Sequence, residues 1–206
     1  MDLASHLREI EYEKGSTIIS ADDPGTKFFV VAKGKVKVVV YSTEGREVIF
    51  SLMKDGDFFG EMSLLDGEPR SANVIAQGDV SLLTLERNDF IKWLESHSSA
   101  FMMLIAELSR RLREADARIG SLVLLDVYGR VARKLLDLAR QEGKRVPEGI
   151  LIAERPTQVE LAGFVGASRE TVARAMGELQ RRGYIRKQGR GLLLLGGKDL
   201  EAEVLG

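Results

Sequence analysis

The stretch QVELAGFVGASRETVARAMG, Gln158–Gly177, reads as two short helical patterns joined by a turn at Gly166. Ala162 is small enough to let two helices approach, Gly166 permits a tight turn, and Val165 and Val172 are spaced to pack in the angle between the helices. Ser168 stands where the second helix needs an N-cap. That helix carries Arg169, Glu170 and Arg174 near its N-terminal end, where a helix lying in the major groove of DNA meets base edges. Arginine can grip guanine O6 and N7 together, and glutamate can accept from cytosine N4.

Downstream lie Arg181, Arg182, Arg186, Lys187 and Arg190, with Gly189 and Gly191 making a turn before the apolar run Leu192–Leu195. This order suits a winged helix whose cations face phosphates; an ordinary amphipathic helical hairpin with solvated charges is the alternative. The charge balance bears on the choice. Residues 155–190 hold 8 Lys+Arg against 3 Asp+Glu, a net +5, whereas residues 1–98 hold 11 against 17, a net −6, on a chain that is −1 overall. Upstream, Asp126 reads as the N-cap of a helix Val127–Gln141, with Glu142-Gly143 and Pro147-Glu148-Gly149 as its stop and a loop.

Further toward the N-terminus, Ile105, Leu108, Leu112, Ala115, Ile119 and Leu122 recur at alternating steps of three and four within a long helix that starts near Asp89. That is the seam of a coiled coil, hence a dimer; one amphipathic helix packed on its own domain is the alternative. Before it, residues 8–90 carry short β-branched and aromatic runs, Lys27–Val31, Lys35–Tyr41, Val48–Met53, Ala72–Ala76 and Val80–Glu86, between turn residues, which predicts a small sandwich or barrel.

Within that region GDFFGEMSLLDGEPRSA, Gly56–Ala72, places Gly60, Glu61 and Met62 ahead of a short helical turn, and Arg70, Ser71 and Ala72 ten residues later. Gly60 lets backbone approach a ligand, a turn beginning at Glu61 offers N–H groups, and Arg70 with Ser71 supplies a charged fork and a hydroxyl suited to an anion. On chemistry alone, Glu61 reads equally as a surface carboxylate with Arg70 as its ion-pair partner.

Composition narrows the rest. With 206 residues, 44% of them hydrophobic, the chain can build one large core or two small ones. No apolar run approaches the ~18 residues of a membrane span, and the N-terminus has no signal-peptide layout, so a cytoplasmic protein with no membrane partner is expected. No cysteine and two distant histidines, His6 and His97, argue against a metal site, heme or an iron-sulfur cluster. No nucleophile and base constellation suggests an enzyme, so no catalytic residue is assigned.

GEMSLLDGEPRSA resembles the phosphate-binding cassette of cyclic-nucleotide domains, and ASRETVAR resembles the recognition helix of the cyclic AMP receptor (catabolite activator) and fumarate-nitrate regulator family of bacterial transcription regulators. The likeness extends over about residues 10–195, including RRLREADARIGSLVLLDVYGRVARKLL. It implies an α+β chain with a jelly-roll-like β-roll sensor over residues 1–98, a dimerisation helix over 99–125 and a winged helix-turn-helix over 126–206. It implies that Arg70 and Ser71 hold a cyclic phosphate, that Glu61 accepts from the ribose 2′-hydroxyl, that Gly60, Met62 and Ala72 belong to the same ligand-binding set, and that Arg111 closes the pocket. Arg169, Glu170 and Arg174 then read TGTGA-like half-sites of an inverted repeat, with Gln158, Ser168 and Arg190 among the DNA contacts, and RNA polymerase is a further partner.

The chain departs from the family's cyclic AMP responders where their long helix offers a Thr-Ser pair to adenine: the matching residues are Ala115 and Asp116. Asp116 can accept from the adenine amino group or take both N1–H and N2–H of guanine, so cyclic GMP competes with cyclic AMP; a solvated Asp116 paired with Arg113 is the bland reading. Gln158 stands where the family often has a basic residue. An effector-independent regulator with a vestigial pocket is the main functional alternative. Met1–Ile10 is short for the family and reads as a helix remnant or a cut end.

Overall fold

A computed structural model describes residues 6–205; Met1–Ser5, part of the expected helix remnant, lie outside them. The chain divides into two compact units between Arg111 and Leu112. In the first, apolar residues alternate with polar ones between turns, and the result is a set of half-buried strands. These are Arg8–Tyr12 (β1), Thr17–Ile19 (β2), Lys27–Lys33 (β3), Lys35–Tyr41 (β4), Glu47–Lys54 (β5), Phe58–Phe59 (β6), Asn73–Ala76 (β7) and Val80–Glu86 (β8), with the short helix Met62–Asp66 (α1) after β6. Residues 8–10 are thus strand, not helix remnant.

The strands form two antiparallel sheets, ordered β1-β8-β3-β6 and β2-β7-β4-β5. Phe29, Val31, Phe59 and Leu82 of the first meet Val36, Met53, Val74 and Ala76 of the second in one buried cluster. Register matters for the site: Phe59 pairs with Phe29, their rings stacked 5.0 Å apart, so Gly60 and Glu61 leave the sheet beside the start of β3.

The predicted long helix is two helices, Arg87–Ser96 (α2) and Ser98–Leu124 (α3). The break falls at His97 (φ −133°, ψ 81°), whose Nδ1 bonds Trp93 O at 2.8 Å. Leu94 and Leu104, on either side of it, join Leu64, Leu85 and Phe90 in a second cluster, which Leu108 borders. Burial on that side, not the seam period, sets where α3 starts.

The second unit contains the rest of α3, then Val127–Glu142 (α4), Lys144–Val146 (β9), Gly149–Ile152 (β10), Gln158–Val165 (α5), Arg169–Arg181 (α6), Ile185–Gln188 (β11), Gly191–Leu194 (β12) and Gly197–Leu205 (α7). The expected stop at Glu142-Gly143 is where α4 ends, with Gly143 as its C-cap, and the expected loop at Pro147-Glu148-Gly149 holds the turn of a β-hairpin, β9–β10, on the sheet β11-β12-β10-β9. Gly149 permits it: at φ +154° an added Cβ would stand 2.0 Å from Leu194 O. Val131, Leu135, Leu161, Val172, Leu179 and Leu200 are fully buried around this sheet. Asp126 caps α4, its Oδ1 accepting from Gly129 N at 2.8 Å. Replacing that cap, Asp126→Ala, should lower the stability of the second unit by about 1 kcal/mol in urea unfolding; a midpoint shift within error would show that the cap is redundant.

Candidate functional site

Two regions carry the chemistry, and each forms within one unit. In the first, Gly60 adopts φ +83°, and the space its missing side chain leaves is taken by the Arg70 guanidinium: a Cβ there would lie 2.8 Å from Arg70 Nη1. Arg70 Nη1 donates to Gly60 O at 2.6 Å and Nη2 to Lys27 O at 2.7 Å. The Arg70 backbone is tied down as well, to Asp22 N and Asp23 O, both at 2.9 Å. Arg70 is 7% exposed, and desolvation pulls its pKa down against the opposing field of Glu61.

Glu61 lies beside it, 2% exposed, which overturns its reading as a surface carboxylate. Its ion-pair partner is Arg111 rather than Arg70, Nη1 to Oε1 at 3.2 Å. Arg111 also donates Nη2 to Phe58 O at 2.7 Å and Nε to Glu107 Oε1 at 2.8 Å, and it lies 4.7 Å from the centre of the Phe58 ring. Glu61 Oε2 is buried with no hydrogen-bond partner among the described residues. Burial pushes the Glu61 carboxyl up, partly offset by Arg111.

The structure therefore brings together Gly60, Glu61, Arg70 and Arg111. Ala72 is buried and Ser71 exposed next to Arg70, whereas Met62 is 51% exposed. Asp116 is exposed and belongs to the second unit. Sequence reasoning missed Glu107, Phe58 and the Lys27 carbonyl. Glu107 stands four residues before Arg111, a spacing that marks an i,i+4 pair on any helix. The carbonyl has no sequence signal, since it arrives by strand pairing.

In the second unit, Gly166 closes α5 in the left-handed region at φ +64°, and Ser168 Oγ accepts from Thr171 N at 3.2 Å to open α6. Val165 and Val172 are buried in the angle as the spacing predicts. α5 also has a capping box, Thr157 with Glu160, of the T-x-x-E spelling. Arg130 fixes the turn from outside, donating Nε to Val165 O and Nη1 to Leu125 O, both at 2.9 Å.

Gln158, Ser168, Arg169, Glu170, Arg174 and Arg190 are all exposed. The Glu170 carboxyl is held below its usual range by its own backbone N–H and the Ser168 hydroxyl, with help from Arg169 and Arg174, so it faces solvent as an anion. Among the downstream cations, Arg181 and Arg182 pair with Glu178, and Arg182 also pairs with Glu203 of α7 at 2.6 Å. Both remain exposed, as do Arg186, Lys187 and Arg190 on the wing. Along α3, Ile105, Leu112, Ile119 and Leu122 are 43 to 63% exposed and Ala115 is exposed, while Leu108 is half-buried against the second cluster. Phe101, also exposed, continues the three-and-four spacing one step earlier.

Residues 9–97 match a cyclic nucleotide-binding domain and residues 129–203 a Crp-like helix-turn-helix domain. The chain is 32% identical, over 93% of its length and 86% of the relative's, to the CRP-like cAMP-activated global transcriptional regulator of Mycobacterium tuberculosis. It is 34% identical, over 94% and 92%, to the cAMP-activated global transcriptional regulator Vfr of Pseudomonas aeruginosa. Among solved structures, a CRP/FNR family transcriptional regulator from Thermus thermophilus superposes with a TM-score of 0.70 at 30% identity, covering 97% of this chain and 99% of that one. Likeness of this degree along nearly the whole length means that this chain belongs to the CRP/FNR family of DNA-binding transcription regulators, with a cyclic nucleotide-binding domain ahead of its helix-turn-helix.

Proposed function

We propose that this chain is a cyclic-AMP-responsive homodimer that binds inverted-repeat DNA with TGTGA-like half-sites. The observation that carries the reading is the orphaned Glu61 Oε2. An unpaired acceptor at that depth costs about 1 to 3 kcal/mol, which a ligand hydroxyl relieves. Arg70 fits the phosphate end: its charge is buried, and two of its five N–H groups are spent on carbonyls. In this reading Arg70 and Ser71 hold a cyclic phosphate, Glu61 accepts from the ribose 2′-hydroxyl, Gly60, Met62 and Ala72 line the same pocket, and Arg111 closes it. The family resemblance assigns Asp116 to the base. The relatives named as cAMP-activated favour adenine, and cyclic GMP is the competing outcome. No metal, heme or iron-sulfur cluster is called for.

Residues 1–98 then sense, 99–125 dimerise through the exposed stripe of α3, and 126–206 bind DNA. Arg169, Glu170 and Arg174 read bases; Gln158, Ser168 and Arg190 hold the backbone. Effector control requires the nucleotide to bind one dimer arrangement better than the other. RNA polymerase is a further partner, and the cytoplasm is the setting; no helix among the described residues is long and apolar enough to cross a membrane.

Four measurements test this. Calorimetric titration should detect cyclic AMP in preference to cyclic GMP, and Arg70→Gln should weaken binding at least a hundredfold; equal, weak heats for both nucleotides would favour the effector-independent alternative.

Acid should weaken nucleotide binding early. Because the folded Glu61 carboxyl is raised, it takes up its proton above the usual carboxylate range, losing both the anionic acceptor and the Arg111 pair. Protonation relieves the cost of burying that charge, so this group favours the folded state as pH falls through the same window, even while binding is lost. Glu61→Gln should flatten the binding profile; an unchanged profile would remove Glu61 from recognition.

Arg169→Ala should cost ~1 to 3 kcal/mol at one base pair and relax preference there, whereas Arg190→Ala should weaken all sequences alike and cut the salt slope by about one. Uniform weakening by both would remove Arg169 from base reading. Finally, Ile119→Glu should yield monomers in sedimentation and abolish binding to the inverted repeat; a dimer that persists would place the interface elsewhere.

A further inference from the structure

Arg111 is held on three sides. Nε goes to Glu107 Oε1 (2.8 Å), Nη2 to Phe58 O (2.7 Å), and only Nη1 is left for Glu61, on one oxygen (3.2 Å). A guanidinium facing a carboxylate tends to take both oxygens in a fork. Here the fork is split: Nη1 could form one only with Nη2, which is held by Phe58 O, and the Nε–Nη2 edge is pinned by Glu107 and Phe58 O together. The Glu107 carboxylate is itself anchored, accepting from Arg110 Nε at 2.8 Å and Nη2 at 2.6 Å. These bonds, that from Arg110 foremost, hold the Glu107 carboxyl at about 2, so it is an anion at any working pH.

We infer that Glu107 is a positioning residue for nucleotide recognition: by holding Arg111 Nε while Phe58 O holds Nη2, it fixes the guanidinium with only Nη1 toward Glu61, and so leaves Glu61 Oε2 free for the sugar hydroxyl. With the Glu107 acceptor removed, as in Glu107→Ala, the guanidinium turns Nη1 and Nη2 together onto Glu61 and covers the acceptor. Glu107 touches no ligand itself. The inference rests on the reading of Glu61 as hydroxyl acceptor, and it concerns a residue outside the cassette.

Calorimetry with cyclic AMP and 2′-deoxy cyclic AMP on the full chain separates the two. The wild type should prefer the ribo form by about tenfold or more, the order of one hydrogen bond to a charged group. Glu107→Ala should lose most of that preference by weakening cyclic AMP about tenfold, leaving the 2′-deoxy affinity unchanged; Glu107→Gln, whose amide oxygen still accepts from Arg111 Nε, should retain more of it. In a Glu61→Gln background, Glu107→Ala should change neither affinity. A wild type that prefers the ribo form, with Glu107→Ala keeping that preference or weakening both ligands equally, overturns the inference and leaves the reading of Glu61 intact. A wild type with no preference overturns the reading of Glu61, and the inference with it.

Discussion

A carboxylate and a guanidinium buried side by side at the end of one short strand organise the sensor unit. Neither Glu61 nor Arg70 is stable there unaided, since taking a charge out of water costs several kcal/mol unless partners replace the lost hydration. The chain supplies those partners from distant segments: Gly60 and Lys27 carbonyls for Arg70, and Arg111 of α3 for Glu61. Each link ties a different element to the cassette, so β3, β6 and the first half of α3 converge on these two charges. The satisfaction is left one bond short, at Glu61 Oε2.

The same economy shapes the DNA-binding unit, with backbone groups as the objects being satisfied. Arg130 gathers the carbonyl that ends α5 and the carbonyl that follows α3, so the turn of the helix-turn-helix and the start of α4 share one donor. A packing contact accompanies it: Leu122 comes within 3.9 Å of where a Gly166 Cβ would stand. The aromatic ring of Phe164 has Lys134 Nζ 3.9 Å from its centre and Arg118 Cζ at 5.9 Å, further joining α4, α5 and the C-terminal turns of α3. Outside this frame Arg169, Glu170 and Arg174 are exposed, Arg174 bonding locally to Thr171.

Much of this was legible in the order of residues. The helix-turn-helix was readable because its signals are local: a glycine at a left-handed turn, a serine cap one residue before the next helix, and two valines at packing distance. Asp126 was readable for the same reason. The helix stop at Glu142-Gly143 and the turn at Pro147-Glu148 were readable too, but the strand β9 between them was not, since a three-residue strand has no period of its own and exists by pairing with β10. Helix α7 escaped for a related cause: its anchors, Leu200 in the core, Glu201 on Arg140, and Glu203 on Arg182 and Tyr184, are tertiary.

The cassette shows where the division lies. The residue types, Gly60, Glu61, Arg70 and Ser71 at their spacing, and the basic helix with its turn, were determined by the sequence alone, because propensity, capping and charge act over a few positions. Which carboxylate was buried, which arginine paired with it, what Gly60 made room for and which oxygen was left without a partner were decided only by tertiary structure. Those outcomes depend on strand register and on a helix some fifty residues away in sequence, whose Arg111 reaches Glu61 across a separation of 50 positions. No local rule carries information over that distance; burial and hydrogen-bond satisfaction do.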